Sequence, residues 1–177
     1  CEAHSILELE PPAHTRLRGL VLRAFTSRRV NALAPEIEAL CHRLIDGVPQ
    51  GPFDLLDTYA RHVPVIVIAR LMGLPESRAD DLLAWSNAMV GMYQAGRTRT
   101  MEGGAEMATQ AFCDFLAVYI ADKRRSPGDD LISELIAAEE KGEKLTTEEL
   151  VSACVLLLNA GHEATVPSLG NAVKTLL

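Results

Sequence analysis

Residues 151–168 read VSACVLLLNAGHEATVPS and join the most hydrophobic run of the chain to a glycine, an acid and a proline. The first eight of these residues are apolar on every side of a helix, which is typical of a helix that is buried all round. At about 100° per residue, four small residues then share one helix face: Ala160, Gly161, Ala164 and Ser168. Such a face allows close approach to the backbone, either by another helix or by a flat, rigid ligand.

Residues that weaken a helix surround this small-residue face. Glu163 lies beside it, Thr165 lies at its other edge, and His162 points away. Pro167 has no N–H, so the carbonyl of Glu163 would lose its helical partner at a cost of about 3 kcal/mol. His162-Glu163 also resembles the start of the zinc motif H-E-x-x-H, but the fifth position is Val166, so no metal site is predicted.

Composition limits the class of protein. The chain has 177 residues, 48% hydrophobic content and a net charge of -7, which argues against nucleic acid as the main partner. Its four cysteines form no C-x-x-C pair and follow no leader, which indicates reduced thiols in a cytoplasmic protein. No uninterrupted apolar run reaches about 18 residues, so no membrane span is predicted. The chain lacks an initial methionine and stops inside an apolar helical pattern, so we expect residues 1–177 to be one segment of a longer domain, truncated at both ends.

Helical periodicity and short Pro/Gly breakers predict an all-α chain with little or no β structure. Thr146 and Glu149 have the spacing of a capping box, which predicts the start of the last helix. A short strand is possible at residues 53–55. The predicted helices span residues 12–25, 28–48, 56–72, 76–92, 101–125, 129–141 and from 146 onward.

The first predicted helix separates its cations. His14 and Arg18 lie at the edge of its apolar stripe, whereas Arg16 and Arg23 point nearly the opposite way, toward water. A histidine and an arginine near the core need an anionic partner, because an unpaired buried charge is costly. That partner is either a carboxylate of the protein or the carboxylate of a ligand.

A basic patch follows from the same segment. No acid occurs between His14 and Val30. The patch is either a solvated face or a docking surface for an acidic protein. Its members are Arg16, Arg23, Arg28 and Arg29.

Two segments together resemble the bacterial soluble cytochromes P-450, the haem-thiolate monooxygenases. PPAHTRLRGLVLRAF, residues 11–25, is similar to the family's helix C, whose histidine and arginine bind the haem propionates. AGHEAT, residues 160–165, resembles helix I, with its A-G-x-D/E-T signature over the distal haem face. The resemblance extends over essentially the whole chain and implies a partial cytochrome P-450 fold from helix C to helix I. It also implies haem b, O2, a small apolar organic substrate and a ferredoxin-type redox partner, for which Arg16 and Arg23 would offer a docking site.

Carried over position by position, the resemblance assigns roles to both segments. His14 and Arg18 would bind the propionates. Ala160 and Gly161 would lie against the haem and the oxygen pocket, and Glu163 matches the acid that relays protons.

The family's threonine is missing from its usual place. Ala164 takes that position against the haem, and Thr165 stands one residue later, turned by about 100°. Glu163 and Thr165 are therefore the predicted catalytic residues. We expect proton delivery to use Glu163, the carbonyl freed by Pro167, ordered water or a hydroxyl of the substrate.

The family's proximal cysteine loop has no counterpart in this sequence. None of Cys1, Cys41, Cys113 and Cys154 lies in a glycine-rich loop after helix I, so the chain alone is expected to be an incomplete monooxygenase. The alternatives are a non-catalytic helical module that binds no haem, or an unrelated helical bundle.

A possible substrate-pocket roof lies earlier in the chain. Met89, Met92 and Tyr93, with residues 96–104, lie where the family builds this roof, although such a cluster is also typical of ordinary core packing.

Overall fold

Helices make up most of the computed structural model, which describes residues 5–140 and 143–177. Across these residues the all-α prediction with little β structure is confirmed. The α-helices are α1 Ala13–Ala24, α2 Ser27–Ala32, α3 Ala34–Asp46, α4 His62–Met72, α5 Ala79–Val90, α6 Arg99–Arg125, α7 Leu131–Ala137, α8 Thr147–His162 and α9 Thr165–Leu176. Shorter elements are a π-helical turn, Leu56–Ala60, 3-10 turns at Glu76–Arg78 and Gly91–Tyr93, and antiparallel strands β1 Glu139–Glu140 and β2 Glu143–Lys144.

Helix α8 lies at the centre of the core. It contacts α4, α5, α6, α7 and α9. Leu150 and Leu158 of α8 are buried in one apolar cluster with Met72 of α4, Leu82 of α5 and Phe112 of α6. Since each large apolar side chain contributes about 1.5–3 kcal/mol on full burial, the cluster accounts for the apolar character of α8 on every side.

Three predicted helices are each divided by a proline that lies in the first turn of a new helix. Pro35 lies in the first turn of α3, Pro64 in that of α4 and Pro167 in that of α9. The prediction of continuous helices at these places is wrong. The first N–H groups of a helix have no intrahelical acceptor, so a proline costs little there, whereas it would break a helix interior.

Two further predictions are corrected. No strand forms at residues 53–55, because Asp54 Oδ1 accepts hydrogen bonds from the backbone N–H groups of Leu56 and Asp57, at 2.8 and 3.0 Å, and turns the chain into a helix. The helix predicted for residues 129–141 ends at Ala137, since Ala138 is extended. Lys141, its predicted last residue, lies outside the described residues.

The start of α8 is fixed by one carboxylate. Glu149 N–H donates to Thr146 Oγ1 at 3.2 Å and Glu149 Oε2 accepts from Thr146 N–H at 2.9 Å, so the predicted capping box is confirmed. Glu149 is only 8% exposed and also forms an ion pair with Arg16 of α1. Because a buried carboxylate must be paired, this contact holds α1 against the first turn of α8.

The stretch Thr147–Leu176, which covers α8 and α9, passes a test of length and composition for a membrane span. It has 30 residues and a mean hydropathy of 1.2, although the uninterrupted apolar run was too short to predict one. In the structure 39% of the tested window is buried, and Leu150, Cys154 and Leu158 belong to the core. Core helices of soluble proteins meet the same criteria, so the stretch gives weak support for a membrane span.

We expect Gly73→Ala to lower the free energy of unfolding by more than about 2 kcal/mol. Gly73 ends α4 with φ +76°, and a Cβ there would lie 2.5 Å from Cβ and Cγ of the buried Asp130. Gly103→Ala in α6 is the matched control, since nothing lies within 4 Å of its Cβ position. Urea unfolding should show Gly103→Ala to be neutral or stabilising by up to about 1 kcal/mol; equal losses in both variants would contradict the account.

Candidate functional site

A wide cleft of about 1380 Å³ opens between α5, α6 and α8. The predicted roof residues Met89, Met92 and Tyr93 line one side. Ala160 and Glu163, from the motif at the end of α8, line the other. The structure therefore brings the two predicted parts of a binding site to the same cleft.

The lining of the cleft is mixed, with apolar residues of α5 and α8 beside polar residues of α6, α8 and the segment 96–104. Met89, Val155 and Leu156 supply apolar surface, and Met89 is buried in the core. Arg97 Nε donates to Glu102 Oε1 at 3.1 Å, so this pair neutralises its own charge. The cleft thus offers a ligand both apolar surface and polar side chains.

The motif at the end of α8 lies at a break between two helices. Helix α8 ends at His162 and α9 begins at Thr165, so Glu163 and Ala164 occupy the junction, with both side chains exposed. The face predicted from Ala160 to Ser168 therefore spans two helices, since Ala160 belongs to α8 and Ser168 to α9.

The carbonyl of Glu163 at the junction has no backbone hydrogen-bond donor among the described residues. Pro167, four residues later, has no N–H to give. The hydroxyl of Thr165 is exposed and donates to the Gly161 carbonyl at 3.4 Å, which directs it back toward α8.

Gly161 serves helix packing. A Cβ on Gly161 would lie 3.1 Å from Cγ1 and 3.2 Å from Cδ1 of Ile68 in α4, so the missing side chain lets α8 approach that helix. Ala160 and Ala164 differ from Gly161, since both are exposed. Of the two alternatives for the small-residue face, a neighbouring helix accounts for Gly161, and an open surface remains at the two alanines.

His162 is buried and points away from this open surface, as predicted. Its exposure is 3%, its Nδ1 lies 3.1 Å from Ser86 Oγ, and its Nε2 lies 3.2 Å from Asn87 Oδ1. Burial lowers the pKa of His162 below its usual range, against opposing effects of the Glu163 charge and the Leu158 carbonyl. The ring is therefore neutral at physiological pH.

The prediction for the cations of α1 is wrong in part. Arg16, expected to face water, pairs with the buried Glu149, whereas Arg18, expected near the core, is exposed. A helical wheel cannot show this, because Glu149 lies 133 residues away from Arg16. His14 is half-buried, and neither His14 nor Arg18 has a side-chain hydrogen bond or ion pair to any residue in the described ranges.

The basic patch is smaller than predicted. Arg29 Nη2 lies 3.1 Å from Asp129 Oδ1 and 3.0 Å from Glu134 Oε1, and Arg16 is paired with Glu149. Acids distant in sequence therefore pair with Arg16 and Arg29. The other two, Arg23 and Arg28, are exposed.

Burial disfavours the thiolate form of two described cysteines, Cys113 and Cys154. Cys154 is fully buried, and burial raises its pKa to about 12. Burial is also the main cause that raises the pKa of Cys113. Cys41 is half-buried in α3, and Cys1 lies outside the described residues. No three His, Cys, Asp or Glu side chains converge as a metal site within residues 5–140 and 143–177.

Comparisons with known proteins relate the whole chain to one group. No family model matches the chain. Cytochrome P-450 107B1 of Saccharopolyspora erythraea is 43% identical over 173 residues, which are 97% of this chain and 41% of that protein. Vitamin D(3) 25-hydroxylase of Pseudonocardia autotrophica is 42% identical over 171 residues, which are 96% of this chain and 41% of that protein.

Solved structures give the same result. The cytochrome P-450 CYP109Q5 from Chondromyces apiculatus matches with a TM-score of 0.84 and 38% identity, over 97% of this chain and 42% of that structure. Ligand-free cytochrome P-450 TbtJ1 matches with a TM-score of 0.85 and 33% identity, over 92% of this chain and 43% of that structure. The helices described above are thus part of the cytochrome P-450 fold.

The chain belongs to the bacterial cytochrome P-450 family, as the resemblance of its two motifs predicted. It spans about two fifths of the length of the curated relatives it matches.

The neutral state of His162 leads to a pH prediction. Because its pKa is lower in the folded than in the unfolded chain, the unfolded chain binds more protons as the pH falls below about 6.5. The stabilisation is fully present above that pH and is lost as the pH falls toward the folded pKa. His162→Gln, which cannot titrate, should lack this component of the pH dependence, whereas His42→Gln at an exposed position should keep it. Urea unfolding from pH 7 to 5 measures the difference; parallel curves for the wild type and His162→Gln would contradict it.

Proposed function

We propose that this chain supplies the distal and propionate-binding side of a haem-dependent monooxygenase that inserts one atom of O2 into an apolar organic substrate. Residues 1–177 would then be a single segment of the cytochrome P-450 domain. The observation that carries the proposal is the cleft in which Ala160 and Glu163 of the motif meet the roof residues Met89 and Met92. Relatives named as hydroxylases and monooxygenases support this class of reaction.

The residues present fit two sides of a haem. When bound, haem b supplies the iron centre that activates O2. His14 and Arg18, one helical turn apart and without side-chain partners among the described residues, would bind the propionates. Ala160 and Ala164 are exposed and small enough to lie against a flat ring, and Gly161 allows α8 to pack on α4 behind them.

The proximal side does not fit the described cysteines. Cys154 is a core residue of α8, and Cys41 and Cys113 lie within α3 and α6. The thiolate of the family therefore has no candidate among them. This favours a second function for the chain taken alone, a helical module that binds no haem.

Proton movement would use the junction between α8 and α9. Glu163 is exposed there and lines the cleft, so its carboxylate can exchange protons with solvent and hold a water molecule inside the cleft. The Glu163 carbonyl offers an acceptor to the same water. Ala164 presents a methyl group at the usual threonine position, and the Thr165 hydroxyl is held by the Gly161 carbonyl.

The proposed partners follow from charge and exposure. A ferredoxin-type protein carries acidic surface and would dock on the exposed Arg23 and Arg28; Arg16 no longer belongs to this surface. The acidic net charge of -7 speaks against nucleic acid as a partner. A cytoplasmic location is proposed because Cys41, Cys113 and Cys154 are free thiols, as is usual in a reducing compartment.

Arg18→Ala should weaken binding of haem by this chain on the order of tenfold, because a hydrogen bond to a charged group contributes about 1.5–3 kcal/mol. Arg28→Ala, which removes another exposed arginine, is the matched control. Titration of each variant with haem, followed by absorbance, gives the dissociation constants. Equal weakening in both variants, or none in Arg18→Ala, would refute the assignment.

Ala164→Thr is predicted to raise the share of oxygen that ends in product when the chain is part of an active monooxygenase. A hydroxyl at residue 164 would order water beside Glu163, where a methyl group now stands. The ratio of product formed to hydrogen peroxide released measures the effect. An unchanged ratio of product to hydrogen peroxide would show that the missing hydroxyl has no role. Ala172→Thr, which adds the same hydroxyl in α9, is the control and should leave the ratio unchanged.

A further inference from the structure

Two polar side chains of α8 meet at one hydroxyl of α5. Ser86 of α5 has 0% exposure, and its hydroxyl donates to Asn159 Oδ1 of α8 at 2.7 Å. The same oxygen lies 3.1 Å from Nδ1 of His162, whose Nε2 lies 3.2 Å from Asn87 Oδ1. The last turn of α8 is thus joined to α5 by three hydrogen bonds. We name Ser86, Asn87, Asn159 and His162 the α5–α8 latch.

The proton count of the latch is complete. Ser86 gives its one proton to Asn159, so its oxygen can accept from Nδ1–H of His162. In the neutral ring, Nε2 of His162 is an acceptor, and the amide nitrogen of Asn87 can donate to it. In a charged ring, Nε2–H would instead donate to the amide oxygen of Asn87. The Ser86 hydroxyl and both ring nitrogens of His162 therefore have a partner in one relative position of the two helices.

Such a latch is specific in a way that the surrounding core is not. Leu82 of α5 and Leu158 of α8 pack by shape and tolerate small displacements, as apolar contacts are non-directional. Hydrogen bonds between buried groups are directional, and leaving one donor or acceptor unpaired costs about 1–3 kcal/mol. Sliding α5 along α8 would break all three bonds. The latch therefore fixes the relative position of the two helices.

Hydrogen bonds, and not ion pairs, join α5 to the last turn of α8. Glu163, next to His162 in the chain, is the one charged group that acts on the ring within the described residues. Helix α5 brings only the uncharged Ser86 and Asn87, and α4 brings Ile68 against the neighbouring Gly161. No ion pair competes with the latch inside the described ranges.

Both helices that the latch joins contribute walls of the cleft. Met89 and Val90 follow Ser86 by about one turn on α5, and Asn159, a latch member, lines the cleft beside Glu163 on α8. We propose that His162 is a positioning residue that holds these two walls at one separation. It touches neither ligand nor cofactor, and it acts through Ser86 and Asn159. This statement concerns the haem-free chain and does not depend on the proposed function.

The test compares His162→Leu, Ser86→Ala and the double variant with His42→Leu, a control at an exposed position. In both single variants of the 177-residue chain, amide hydrogen exchange should accelerate at least tenfold in residues 86–93 and 155–163. The losses in the free energy of unfolding should be strongly non-additive in the double variant. His162→Gln, whose amide can reach one of the two partners, should regain part of the protection.

The single tryptophan of the chain separates a local from a general effect. Trp85, next to Ser86, packs against Phe112 and Phe115 of α6 with ring centroids 5.7 Å apart in each case. If the latch sets only the α5–α8 position, Trp85 emission stays unchanged while exchange accelerates at the α8 end. A shifted Trp85 emission together with faster hydrogen exchange throughout the chain would overturn the proposal. Additive effects of the two substitutions on the free energy of unfolding would also overturn it. If His162→Leu does not fold, the emission and exchange of Ser86→Ala supply the test.

Discussion

The carboxylate of Glu149 is the interaction on which the arrangement of the site depends. It is nearly buried, it caps the first turn of α8, and it pairs with Arg16 of α1. A charge in this position would be strongly destabilising without its partner. The pairing therefore ties α1, which packs on α7, to the first turn of α8 at Arg16, between His14 and Arg18. At the far end of the same helix, His162 joins α8 to α5.

Between these two anchors, α8 changes from a core element to a surface element. Leu150, Cys154 and Leu158 are fully enclosed, whereas Ala160 and the α8–α9 junction are exposed. A helix interior tolerates neither a proline nor an unpaired carbonyl, so both occur where α8 has ended and α9 begins. Glu163 and Pro167, which would weaken a buried helix, lie where α8 ends beside the cleft.

Much of this could be predicted from local sequence. The periodicity of α6, the capping box at Thr146 and the two motifs at His14 and Ala160 require only neighbours along the chain, and they led to the correct fold class and family. The helix breaks before Pro35, Pro64 and Pro167 do not follow from hydrophobic periodicity, because the periodicity continues through each proline. A proline does mark a break, since only a first-turn position accommodates its missing N–H.

The remaining errors have a common physical origin, which is pairing over long distances along the chain. A helical wheel assigns a direction to Arg16 but contains no information about Glu149, and the acids that bind Arg29 lie 100 and 105 residues away. The latch is similar, because Ser86 and His162 are separated by 76 residues and only folding brings them together. A buried histidine flanked by polar residues on another helix has no signature in a single sequence.

The central claim is that α1 and the α8–α9 junction face the same haem. The most direct measurement is paramagnetic broadening of amide signals when ferric haem is added to the ¹⁵N-labelled chain. We predict broadening of residues 14–18 and 160–165 together, while residues 34–46 of α3 keep sharp signals. Broadening of one segment without the other, or of α3 to the same extent, would contradict the account.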